Sequence, residues 1–407
     1  MKSAAILRSS GVVAVGFLLI FHIGILCFAI PSLGLKGAVD FRHLYTAGYM
    51  VRSGHANELH DYEADRKFQE QIVGPSEKGN HYNHLAYESL FFVPFSLLTY
   101  RTAYLIFFAL NIALLGISYW LMRPYLRIVD RASGFLACAP FIAFLPVISA
   151  LVHGQVSIIL LVLFVTAMIS YDRGNEMTAG ALVGMTLFKF QFGIPFALLF
   201  LIWRRYRFVA GFAISGFAVL ALSLMLVGFS GFSDYVHALA STTSVAGMQR
   251  FIIPPERMPN IRGLIYTVGI GRLSETAMLV ATAICSAAIL VWAGKRKPAF
   301  SLAVTVAFLV SYHGLIPDAT LLAIPLSLVL GCGLNGSMRK PAMCLLLVAI
   351  IVASPTFLNL YGTRFYLMTI PILVFFGLTS SPPDGWWQTA PAQNRNFCPA
   401  VDDTRQL

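Results

Sequence analysis

Charge is what this sequence has least of. Only 12% of its 407 residues are Asp, Glu, Lys or Arg, where a soluble domain carries about 25%, so a water-soluble globular fold does not fit. Short alternating strands are also missing, which excludes a membrane β-barrel. No basic run is interleaved with aromatic residues, and nucleic-acid binding is set aside. The formal net charge of +11 is read instead as topogenic charge on cytoplasmic loops. The six cysteines are Cys27, Cys138, Cys285, Cys332, Cys344 and Cys398. None lies in the long polar stretch behind the first apolar run, and no CxxC occurs, so neither a disulfide framework nor a zinc site is supported. No clean A-x-A site follows the first apolar run, Gly11 to Ile30, which is longer than a signal-peptide core; an uncleaved first helix is expected. No short-period internal repeat is visible.

What the chain has in abundance is apolar sequence: 57% of its residues, in runs of roughly 15–22 that recur to the end. Backbone polar groups at membrane depth must be satisfied within each segment, so these runs must be helices. The fold class is all-α, polytopic and membrane-embedded, one domain over 1–379. The expected spans are 11–31, 102–122, 134–152, 156–171, 177–189, 193–203, 208–229, 274–293, 299–313, 318–332, 342–359 and 365–379. With about twelve crossings, every short basic cluster, such as Arg123–Arg127–Arg131 or Lys295–Arg296–Lys297, falls on one side. Both termini are then cytoplasmic. The segments 177–189 and 193–203 are short and are read as a kinked hairpin around Gln191–Phe192–Gly193 and Pro195. The Pro-, Gln- and Asn-rich tail 380–407 is expected to be disordered and cytoplasmic.

Two loops lie on the other face, 32–100 and 230–273. Within the first, Asn57 to Gln71 sets Leu59, Tyr62, Phe68 and Ile72 among charges, the pattern of a short amphipathic helix at the interface. Tyr87 to Leu98 is apolar, short and broken by Pro94, so it is read as re-entrant or interfacial.

Once this topology is drawn, unusual polar residues collect on the outer side: Asp40, Arg42, His43, His81, His84, Glu88, His153, Gln155, Lys189, Gln191, Arg257, Asn260, Arg262, His313 and Asp318. Ionisable groups near membrane depth are costly and mark function. One carboxylate among several cations suits sugar transfer from a lipid phosphate. The phosphate is already a good leaving group, cations meet its charge, and the acceptor hydroxyl needs a single base. A glycosidase would need two facing carboxylates. Asp40, just past the first helix, is the candidate base; its plainer reading is a helix-end carboxylate paired with Arg42. Asp318 has an alternative role as a helix cap after Pro317. Lys189 has one as a snorkelling residue, His313 as a backbone-bonded helix-end histidine, and Gln155 as a packing residue beside Gly154. Arg257 and Arg262 have alternatives as solvated loop charges, and Asn111 is read as interhelical glue. His81, His84 and Glu88 match no standard metal spacing, so a divalent metal, though chemically conceivable, has no support, and no cofactor is implied.

Several stretches carry a resemblance. Asp40–Phe41 with Tyr45 and Ala47, then Gly54 and Leu59–His60–Asp61, resemble the D-F-x-x-x-Y-x-A…G…L-Y-D opening of glycosyltransferase family 87 in the GT-C superfamily. His153–Gly154–Gln155–Val156–Ser157 is similar to its G-Q motif, and Gly180 with Phe188–Lys189–Phe190–Gln191 to its A-G…K-x-Q stretch. Pro259–Asn260–Ile261–Arg262–Gly263 and Ser311–Tyr312–His313…Asp318 are similar to later outer segments. The resemblance spans roughly 12–375. It departs at His60, where the family has Tyr, and at Leu85–Ala86–Tyr87–Glu88, where it has Y-P-P. It implies a GT-C-like bundle in the bacterial inner membrane with an extracytoplasmic active site. It also implies a polyprenyl-phosphate sugar donor, mannose above all, a lipid or glycan acceptor, inversion at the anomeric carbon, and Asp40 as catalytic base. Arg42, His43, Tyr45, His84, Glu88, Gln155, Lys189, Gln191, Arg257, Asn260, Arg262, His313 and Asp318 are the candidate substrate contacts. The competing functions are a flippase for a lipid-linked sugar, which would show midplane charges and repeat symmetry, an O-antigen ligase or polymerase, and a non-catalytic membrane scaffold.

Overall fold

A computed structural model describes residues 2–75, 81–250, 254–333 and 341–379. The tail 380–407 and the basic pair Arg339–Lys340 lie outside the described residues. Among the described residues every regular element is helical. Five helices are long and apolar enough to cross a membrane, within Ser9–Gly34, Tyr100–Leu126, Tyr206–Ser241, Glu275–Gly294 and Met343–Leu360. Each exceeds or approaches the roughly 20 residues that a 30 Å hydrocarbon layer requires. Their outward side chains are apolar: Phe17, Ile20, Met225 and Phe229 are 65–83% exposed, which water would penalise and lipid does not. The shorter apolar helices Ala139–His153, Ser157–Asp172, Phe300–Leu309, Ile316–Gly331 and Phe365–Thr379 pack in the interior.

The expected span 134–152 is not one helix. Arg127–Ala137 carries an extended Ser133, a second turn starts at Ala139, and a third helix runs Leu145–His153. Pro140 and Pro146 explain the breaks, because each lacks an N–H and fits only the first turn of a new helix. The expected hairpin at 177–203 is a bent pair instead. Glu176–Gly184 and Leu187–Ile202 meet at 59°, well short of a reversal, and the break falls at Met185–Thr186 rather than at Gln191–Gly193. Pro195 sits inside the continuous helix Phe190–Ile202. The hydroxyl of Tyr87 bridges the break: it donates to Met185 O at 2.7 Å and accepts from Phe188 N–H at 2.9 Å. Backbone groups freed by a break need such partners. Counted as one span, this pair brings the candidate crossings to six.

The helix expected to end at 229 continues to Ser241 across a break at Gly228, whose φ of +67° only glycine adopts freely. The loop expected from 230 therefore begins as helix and later holds Ile261–Gly269.

The first loop is more helical than expected. Phe41–Arg52 forms a helix directly behind Asp40. The amphipathic helix read at Asn57–Gln71 is present as Tyr62–Ile72, opened by Asp61, whose carboxylate accepts from the N–H groups of Glu63 and Ala64, both at 2.9 Å. Ala86 to Leu97 forms only short turns and no span. Phe41 is fully buried and faces the rings of Phe92, Phe95, Tyr100, Tyr104 and Phe107 at 5.1–6.4 Å. This aromatic nest fixes the first loop against Tyr100–Met122 and so fixes the residue before it, Asp40.

Candidate active site

Asp40 occupies the N-cap position of Phe41–Arg52, yet its side chain caps no N–H of that helix. It points across the fold to the end of Leu145–His153, where Oδ2 accepts from Gln155 Nε2 and lies 3.5 Å from His153 Nδ1. Gly154 makes this junction possible. Its φ is +58°, and a Cβ there would stand 2.7 Å from Cβ of Phe41, so any side chain would drive the two segments apart. Burial alone would raise the Asp40 pKa. The hydrogen bond and charge of His153, the charge of His43 and the Gln155 amide outweigh it and hold the carboxyl well below the usual carboxylate range. The N-terminus of Phe41–Arg52 adds a favourable dipole.

A second carboxylate, Asp318, stands across the cavity. It pairs with Lys189, accepts from Ser157 Oγ at 2.9 Å and from Leu315 N–H at 3.0 Å. The backbone bond bears out its capping role for the turn Ile316–Leu322, while the ion pair extends it. Lys189 Nζ also reaches Ser157 Oγ and Gln155 Oε1, each at 3.2 Å. A continuous polar chain thus runs His153–Asp40–Gln155–Lys189–Asp318.

Eight of the candidate base and substrate contacts line one cavity, Asp40, His43, His84, Gln155, Lys189, Gln191, His313 and Asp318, and His81 joins them there. Between them they come from five separate stretches of chain. His43 is buried and neither ring nitrogen has a hydrogen-bond partner; His313 is similar at Nδ1. Burial, against the pull of Asp40, lowers the pKa of His43 to about 4. Burial, opposed by Asp318 and reinforced by Lys189 and Arg262, does the same for His313. Both rings are therefore neutral at pH 7, and the unpartnered nitrogens have almost no accessible surface. His84 bonds to Glu88 through Nδ1.

The structure does not bring the remaining predicted residues to the cavity surface. Arg42 turns away and clamps the loop, donating to Gln69 Oε1 at 3.0 Å and to the carbonyls of Gly37 and Gly74. Gln69 in turn donates to Asp65, which also takes Tyr82 N–H and His81 Nδ1; this knot holds the His81–His84 segment in place. The hydroxyl of Tyr45 donates to Leu98 O at 2.7 Å. Glu88 lies behind His84 and accepts from Tyr82. Asn260 caps Ile261–Gly269 through Gly263 N–H and holds Ser311. Arg262 is stacked between the rings of Tyr266 and Tyr312 at 4.9 and 4.3 Å and donates to the carbonyls of Tyr312 and Thr242. It braces the cavity wall from behind. Arg257 is exposed.

Sequence reasoning missed Ser157 as a partner of the Lys189–Asp318 pair, and Tyr235, Thr242 and Tyr312 as cavity residues. Ser157 stands two positions after Gln155 within the G-Q stretch, which was the available signal. Tyr312 lies in the Ser311–Tyr312–His313 stretch, which was a signal, whereas Tyr235 on its apolar helix and Thr242 in the turn behind it gave none. Among the described residues no group of three His, Cys, Asp or Glu side chains is arranged to hold a metal ion.

The model of glycosyltransferase family 87 matches residues 88–311, more than half of the chain. The match includes Glu88, Gln155, Lys189, Gln191, Arg257, Asn260 and Arg262; Asp40, His43, His84, His313 and Asp318 lie outside it. No curated protein and no solved structure matches the chain.

Proposed function

The chain belongs to glycosyltransferase family 87, and from that premise and the geometry of the cavity we propose that it moves a hexose, mannose by resemblance, from a polyprenyl-phosphate donor to a hydroxyl of a lipid or glycan acceptor. The observation that carries this reading is Asp40. It is a buried carboxylate held in its ionised form at a cavity whose other walls offer neutral histidines without partners.

The chemistry follows from these groups. The acceptor hydroxyl, within hydrogen-bond reach of Asp40, gives up its proton to the carboxylate as its oxygen attacks C1 of the donor sugar. The attack comes from the face opposite the phosphate, the C1–O bond to phosphate breaks, and the electron pair leaves with polyprenyl phosphate. The anomeric centre is inverted. The leaving group gains one unit of negative charge, and His313 and His84 on the cavity wall are the candidate hydrogen-bond donors to it. The donor phosphodiester carries one charge and needs no general acid, which fits a cavity whose second carboxylate is neutralised by Lys189. The exposed apolar faces of the long helices would keep the lipid-borne donor and the enzyme in one bilayer. We assign the site to the extracytoplasmic side on the charge bias of the loops in the expected topology, and to a bacterial inner membrane by resemblance.

The test is sugar transfer by purified protein in nanodiscs from polyprenyl-phosphate-mannose to a panel of lipid and glycan acceptors, with Asp40→Asn alongside. Turnover by the wild type, with transfer lost and donor binding kept in Asp40→Asn, supports reaction and base together. Turnover indifferent to the substitution removes Asp40 from its role. Donor binding without transfer to any acceptor favours a lipid-linked sugar flippase.

A further inference from the structure

Gln155 sits between two charged groups that allow its amide only one orientation. Lys189 Nζ stands 3.2 Å from one end and Oδ2 of Asp40 takes a hydrogen bond from the other. A lysine ammonium has donors alone and a carboxylate has acceptors alone. The carbonyl must therefore face Lys189 and the NH2 must face Asp40; a flipped amide would set donor against donor and acceptor against acceptor. We propose that Lys189 is a positioning residue for the base, fixing the Gln155 amide so that it donates to Asp40.

Lys189 is itself held in place. It pairs with Asp318 and donates to Ser157, and Asp318 is anchored by Ser157 Oγ and by Leu315 N–H. The side chains of the pair are 4% and 3% exposed. With its charge neutralised on the spot, Lys189 differs from a free cation waiting for a phosphate. Its influence reaches the reacting centre through a neutral amide, which leaves Asp40 ionised yet still able to accept a proton. The structural part stands on the contacts alone; its catalytic meaning rests on Asp40 being the base.

Two measurements on the full chain in nanodiscs test it. One is steady-state transfer from polyprenyl-phosphate-mannose. The other is the infrared C=O band of protonated Asp40, isolated in each background by subtracting its Asp40→Asn counterpart across pH. Removing Lys189 alone would strand Asp318, so the change is made as Lys189→Met with Asp318→Asn. Gln155→Leu breaks the amide link without touching the ion pair, and Lys189→Arg keeps a donor-only cation. Both disruptions should lower kcat roughly tenfold or more, leave the donor KM nearly unchanged, and move the Asp40 band up by about one pH unit or more. Combined, they should be no worse than Gln155→Leu alone, and Lys189→Arg should recover most of the rate. A rise in donor KM with the Asp40 band unmoved would overturn the proposal in favour of a phosphate ligand, as would additive effects. An unmoved band in Gln155→Leu overturns it even if the double variant does not fold. A band that moves while the wild type transfers nothing would keep the positioning role and sink the proposed reaction instead.

Discussion

The cavity has two carboxylates, and their surroundings could hardly differ more. Asp318 is met by a buried ammonium, a buried hydroxyl and a part-buried backbone N–H. Asp40 is met by a neutral amide and by His153, whose side chain is 39% exposed. The first environment neutralises charge and ties two helices to one turn. The second shares the charge between a neutral amide and a partly exposed histidine whose pKa Asp40 raises against burial. Burial and a residue type shared by both are therefore poor guides to which one does chemistry; the partners decide.

That contrast can be broken in graded steps. Asp40→Asn keeps the shape but removes the base and its stabilising charge, so transfer should fall by about 10²–10⁴, together with some lowering of the midpoint of thermal unfolding. Asp318→Ala should act mainly on the fold. It strands Lys189 in the interior and should destabilise the fold by about 3–5 kcal/mol, read as an early unfolding midpoint, with kcat per folded molecule also falling as Lys189 loses its anchor. If Asp318→Ala unfolds no earlier than the wild type, the two carboxylates are not as different as their partners suggest.

Gly154→Ala probes the junction that lets Asp40 meet Gln155. The added Cβ meets Phe41 at 2.7 Å in a left-handed backbone, a strain of about 1–3 kcal/mol. It should lower kcat more than it lowers thermal stability, because it displaces the base directly. The smallest expected effect concerns the neutral histidines. Unfolded, His43 and His313 take up protons near 6.5; folded, only near 4. Between those values the unfolded chain binds more protons, so stability falls as pH drops from 7 towards 5. Asp40 titrates below that window and does not contribute to it. The unfolding midpoint should follow this slope, and His43→Phe should reduce it, leaving the share of His313 and of the similarly shifted His60; a slope unchanged by the substitution would argue against a buried neutral ring.

Much of this architecture was legible from local pattern. Lipid-facing helices announce themselves by length and composition, and the amphipathic stretch around Phe68 and Ile72 folded as its spacing required. Misreadings came where proline and glycine act in context. Pro140 and Pro146 divide a run that hydropathy alone joins, whereas Pro195 is absorbed into a helix. The actual break at Met185–Thr186 is completed by Tyr87, a residue about one hundred positions away.

The site shows the same division. Residue chemistry picked out eight side chains that share one cavity, and it picked out Arg42, Tyr45, Asn260 and Arg262 equally, although these brace the scaffold. A cation that clamps a loop and one that faces a ligand look alike in sequence, because the difference lies in which carbonyl or carboxylate it meets. The sequence by itself determined that this chain must fold as helices in a bilayer, since its long apolar runs leave backbone groups no other partner. Only the tertiary structure decided that Asp40 faces Gln155, 115 positions away, and that Asp318 faces Ser157 across 161. Contacts at such separation are set by how helices pack, and no local spacing encodes them.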